Sequence, residues 1–176
     1  LTFGVEIETH IPAGATNVGD YYRPVQVSSL PVGWVAKTDS SIRCRRGRRG
    51  CEFVSPVLKG ADGVRSLLAA VRGINALGAR VNRSCGLHIH VGFDDSNREA
   101  LARLVTLVAN FETAIYASTG TKRRERGSYC AGVRRHGSSD EAQRHAGTYR
   151  YHVLNLTNLT QGRRPTVEFR AFAGTT

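Results

Sequence analysis

The stretch from Cys85 to Gly92 reads CGLHIHVG, and its two imidazoles, His88 and His90, stand two residues apart inside an apolar run. Residues two apart on a β-strand point to the same side. Leu87, Ile89 and Val91 therefore face one way and His88 and His90 the other. Two further segments repeat the arrangement. In FGVEIE, Phe3, Val5 and Ile7 oppose Glu6 and Glu8; in VEFRAF, Val167, Phe169 and Ala171 oppose Glu168 and Arg170. Glu52 in CEFVS adds a single carboxylate opposite Cys51 and Phe53.

An antiparallel sheet with one wet face produces such alternation routinely. The residue types argue for more than that. Solvated strand faces mix Thr, Ser, Lys and Gln, whereas these positions hold Glu6, Glu8, Glu52, His88, His90, Glu168 and Arg170. Carboxylates about 7 Å apart along a strand, joined by others from neighbouring strands, repel one another unless cations neutralise them. Carboxylate oxygens with one imidazole suit Mg²⁺ or Mn²⁺. Arg170 beside Glu168 then reads as a clamp for a phosphate that the metals also hold. The residues predict a metal-and-phosphate site on a sheet face.

Around these segments the chain supplies supporting elements. Residues 1–9 alternate as a strand, and 10–33 is a Pro- and Gly-punctuated connection around a short strand at 25–28. Residues 34–38 and 51–55 predict a hairpin whose loop, 43–50, carries Arg43, Arg45, Arg46, Arg48 and Arg49. Val64, Leu67, Leu68, Val71, Ile74 and Leu77 keep helical spacing, with Gly78 as the stop. SNRE at 96–99 reads as a capping box for a second helix built on Leu101, Leu104, Val105, Val108, Phe111 and Ile115. Residues 119–148 lack periodicity and read as a long loop; 151–159 and 166–172 read as closing strands. Helices among strands that return through hairpins predict an α+β fold with a largely antiparallel sheet.

The chain has 176 residues, 40% of them hydrophobic, which suits one domain spanning 1–176. It starts at Leu1 and holds no methionine, as a domain cut from a longer chain would. No uninterrupted apolar run approaches the roughly 20 residues that cross a bilayer. The four cysteines, Cys44, Cys51, Cys85 and Cys130, form no CxxC, which fits reduced thiols and a cytoplasmic setting. The net charge of +11 comes from 22 arginines and only three lysines against 14 acids, so an anionic partner is favoured. The aromatic residues are not interleaved with the arginines as stacking platforms would be, which argues against a nucleic-acid module. HxH also occurs in zinc hydrolases, but those add a nearby Asp-His that HIHVGFDD lacks.

FGVEIE, KTDSSI, CEFVSP, CGLHIHV, YHVLN and TVEFRAF occur here in the order seen in the amidoligase family, and the chain resembles that family from Phe3 to Phe172. The family groups with carboxylate-amine ligases related to glutamine synthetase and glutamate–cysteine ligase. The resemblance implies a glutamine-synthetase-like catalytic domain, a curved antiparallel sheet with helices packed on one face. It also implies an ATP-dependent ligase that joins a small-molecule or peptide carboxylate to an amine through an acyl phosphate. By the same resemblance Glu6, His88 and Glu168 share one metal, and Glu8 and Glu52 help to hold another. His90 contacts phosphate or nucleotide, and Arg170 neutralises the transferring phosphoryl group. Arg126, Tyr129, Arg134 and Arg135 fall where relatives contact substrate and phosphate, Arg134 as a nucleotide contact. Asn155 in VLNLT reads either as a brace for the site or as the cap of a strand end.

Overall fold

The computed structural model describes residues 1–94, 97–118, 124, 126–133 and 139–175. They form a mixed architecture of antiparallel strands and helices, divided into two compact units. The first contains Leu1–Leu87 and the chain from Gly174 onward; the second is His88–Ala173.

In the first unit β1 (Thr2–Pro12) pairs antiparallel with β4 (Arg48–Val54). β3 (Val35–Lys37) continues the sheet beside β4, and β2 (Val25–Gln26) flanks β3. The short β5 (Leu58–Lys59) pairs with the start of β1. The register sets Ile7 opposite Phe53 and Glu8 opposite Glu52, and Ala36 and Lys37 oppose Phe53 and Glu52 from the other side. Facing residues in an antiparallel pair share a sheet face. One face therefore carries Ile7, Phe53, Ala36, Cys51 and Thr9, all buried; the other carries Glu6, Glu8, Glu52 and Lys37. The basic turn is shorter than its composition predicts, because β4 begins at Arg48, just past Gly47 with φ +81°.

α1 (Gly60–Ala76) buries Gly63, Ala70 and Ile74 and leads to Gly78 with φ +72°, the expected stop. Its apolar stripe is only partly used, since Val64 and Leu68 are exposed. Trp34 is completely buried and donates its indole N–H to Ser66 Oγ at 3.1 Å.

β6 (Gly86–Gly92) is the strand along which the chain leaves the first unit and enters the second. There the strand order is β6-β8-β7, with β8 spanning Thr166–Ala173 and β7 only Leu154–Asn155. β7 and β8 are antiparallel, with Asn155 opposite Glu168. α2 (Arg98–Ser118) is capped by Asn97, whose Oδ1 accepts the Ala100 amide at 2.9 Å. The cap is one residue later than the predicted Ser96, which lies outside the described residues. By length and composition α2 could cross a membrane, but Leu101, Val105, Val108 and Tyr116 pack it into this unit's core with Val153, Leu156, Val167 and Ala171. Phe111, expected inside, is exposed, and Glu112 is buried in its place.

Two expectations are corrected in this half. Residues 139–148 form α3 (Ser139–Thr148), not loop, and it packs against α2 and α4. Residues 151–159 are not one strand: after Asn155 the chain turns into α4 (Thr157–Thr160). Asn155 Oδ1 causes the turn by accepting the amide and hydroxyl of Thr157 at 3.0 and 2.8 Å.

Candidate active site

The first unit holds an acidic cluster. Glu8 and Glu52 lie directly across the β1–β4 pair, and Glu6 is two residues along on the same face. Glu8 and Glu52 are buried and Glu6 is half-buried. Burial pushes the Glu52 carboxyl from an ordinary 4.5 to about 8, and the neighbouring Glu6 carboxylate adds to the rise. Lys37, which was not singled out from the sequence, opposes it at 3.2 Å from Glu52 Oε1. Burial alone would lower the Lys37 ammonium, but the carboxylates of Glu52 and Glu6 outweigh it and raise its pKa. Glu8 is held differently, its Oε2 accepting the Gly86 amide at 2.6 Å. Three carboxylates thus face one ammonium, and the cluster retains affinity for further positive charge. A hard divalent ion with oxygen ligands fits this donor set.

The second unit holds a mixed cluster. The parity of β8 puts Val167 and Ala171 in the core and Glu168 and Arg170 on the opposite side. Arg170 donates from NH1 to Glu168 Oε1 at 2.6 Å and from Nε to the Tyr129 carbonyl at 3.1 Å. Asn155 donates to Glu168 Oε2 at 2.6 Å, while its Oδ1 holds the turn that follows β7. His88 Nδ1 lies 3.5 Å from both Glu168 Oε1 and Arg170 NH1. A ring nitrogen of His90 and a carboxylate oxygen of Glu168 lie within 4.8 Å of one another, close enough to ligate one ion. His88, Glu168, Arg170 and Asn155 are all nearly inaccessible to solvent, whereas His90 is half-buried. Removing either member of this buried Glu–Arg pair would strand the other charge in the interior, which is costly. Arg170 stands 5.8 Å from the centroid of the Tyr151 ring as well.

Tyr129 is exposed and takes part through its carbonyl, and Arg126 is exposed. Arg134 and Arg135 lie outside the described residues. Arg124, not anticipated, donates to the Arg170 carbonyl at 3.3 Å. Glu112 is also new: its Oε2 accepts the Val133 amide at 2.7 Å, tying the strand-like segment after Cys130 to α2.

A family model described as "Putative amidoligase enzyme" matches residues 1–136. Neither the curated proteins nor the solved structures return a match.

Proposed function

The chain belongs to the amidoligase family, and from that membership we propose that it is an ATP-dependent carbon–nitrogen ligase joining a carboxylate to an amine. The observation that carries the reading furthest is the acidic face of β1 and β4. Glu6, Glu8 and Glu52 are aligned by register and one of them resists ionisation until about pH 8. A stable protein keeps such a cluster at a cost, and the cost is recovered when cations enter it.

Glu6, Glu8 and Glu52 would hold Mg²⁺ or Mn²⁺ through hard oxygen ligands; in the second unit Glu168 with His90 or His88 would supply a carboxylate and an imidazole. Bound divalent ions supply charge neutralisation for phosphates and for the incoming carboxylate. Arg170 fixes the orientation of Glu168 and contributes positive charge against the transferring phosphoryl group. Asn155 orients the same carboxylate. In the reaction, a substrate carboxylate oxygen bonds to the γ-phosphorus of ATP as the bond to ADP breaks. The amine nitrogen then bonds to the carbonyl carbon of the acyl phosphate, phosphate leaves, and the amine proton passes to a base.

Release of ADP and phosphate should require a carboxylate and an amine together. Glu6→Gln and Glu168→Gln should each lower that release at least 100-fold, in keeping with loss of a charged transition-state contact. Turnover unchanged by either substitution would remove the reading.

A further inference from the structure

The first unit holds a second polar feature that the ligase reading does not use, a cleft of about 530 Å³ between the end of β1, the basic turn and residues 80–82. Arg43, Arg45, Arg48 and Arg80 line it, together with His10 and Asn82. Its walls are tied together. His10 and Arg80 exchange two backbone hydrogen bonds of 2.9 Å. Asn82 donates to the Arg43 carbonyl at 2.6 Å, and the Arg43 amide donates to Ser84 Oγ at 2.9 Å.

Arg48 is fixed by neutral acceptors. Its Nε donates to His10 Nδ1 at 2.6 Å, and its NH2 donates to the carbonyls of His10 and Gly78 at 2.7 and 2.6 Å. Those bonds orient the guanidinium without neutralising its charge. Among the described residues no carboxylate forms an ion pair with any of the four arginines. Ordinary surface arginines disperse or pair with acids. Here four converge on a concavity of ligand size, in loops held by side-chain-to-backbone bonds, with no counter-ion among the described residues.

We propose that this cleft is a binding site for a multivalent anion, its charges being phosphate or clustered carboxylate groups that the guanidinium forks grip in pairs. A single carboxylate would neutralise only one arginine, so monovalent anions bind poorly. His10 lies on the same face of β1 as Glu8, about 7 Å along the strand. The site does not rest on the ligase reading, and it extends that reading by offering a place for a second acidic group of the acid substrate.

The test is calorimetric titration of the whole chain, without ATP or amine, at constant ionic strength. The probes are pyrophosphate, citrate and acetate. The variants are Arg45→Gln/Arg80→Gln and, as a control of equal charge change, Arg163→Gln/Arg164→Gln, which replaces exposed arginines in the second unit. Arg48 is left intact because it holds the fold. Pyrophosphate or citrate should bind one to one and acetate far more weakly. The cleft pair should weaken binding at least tenfold and the control pair less than twofold. The tighter of the two probes identifies the group as phosphate or carboxylate. Equal losses in both pairs, or no binding of either multivalent probe, would overturn the site. Failure of the ligase assay with anion binding intact would remove the ligase reading alone.

Discussion

Cys51 and Glu52 are neighbours on β4, and burial raises both acids. Burial pushes the Cys51 thiol to about 12, so it carries no thiolate near neutrality. Cys85 and Cys130 are buried as well, while Cys44 is exposed. A thiol reagent at pH 8 should therefore modify one cysteine quickly in the native protein and all four in denaturant, as mass spectrometry would count. Fast modification at Cys51 would mean that β4 opens. Glu52 gives a pH signature. Its carboxyl is raised from 4.5 to about 8, so the native state keeps a proton that the unfolded chain releases. The associated stability is fully present below pH 4.5 and is lost as pH rises through about 8. The slope within that window is at most about 1.4 kcal/mol per pH unit. Urea unfolding without divalent ions at pH 5, 6, 7 and 8 should show this decline, and Glu52→Gln should flatten it. An equal decline in the variant would move the titration to another group.

At the scale of elements, Glu112 is a charged residue set into the apolar stripe of α2, where its carboxylate takes the Val133 amide. Glu112→Ala strands that amide in the interior and should cost about 1–3 kcal/mol. Exchange protection at Val133 should fall more than protection within α2 itself; uniform loss would mean that Glu112 supports the helix and not the segment. This residue also marks the limit of what the sequence discloses. The strands of the candidate site were legible because alternation is strict: β1, β4, β6 and β8 appear where FGVEIE, CEFVS, LHIHV and VEFRAF place them. Helix faces were less so. A 3.6-residue period locates a stripe but not which part of it is covered, and Val64, Leu68 and Phe111 are exposed where Ala70 and Glu112 are buried. α3 was hidden because SDEAQRHAGT is polar, with only two alanines as apolar side chains, of which Ala146 is buried. Lys37 and Glu112 were passed over for a common reason. A lone charge is ordinarily solvated, and only register or packing shows that it has been taken inside.

For the molecule as a whole, a charge of +11 coexists with buried carboxylates in both units, among them Glu8, Glu52, Glu112 and Glu168. The basic residues make the surface repel itself, and the acidic ones charge the interior for cations. Both raise the free energy of the ion-free protein. A ligand that binds only the native state stabilises it by about 2.7 kcal/mol at a hundredfold excess over its dissociation constant. For a chain of this length that corresponds to a rise in Tm of roughly 5–10 °C. Saturating Mg²⁺ or Mn²⁺ should produce such a rise in the wild type, and a chelator should reverse it. The double variant Glu6→Gln/Glu52→Gln should respond little, because its amides cannot replace the lost charge. Screening by salt alone would raise both proteins equally, so matched additions of NaCl separate specific binding from relief of the surface charge. A thermal shift that is the same in wild type and double variant would assign the metal effect elsewhere, and the acidic face of β1 and β4 would be left as a cluster stabilised by Lys37 alone.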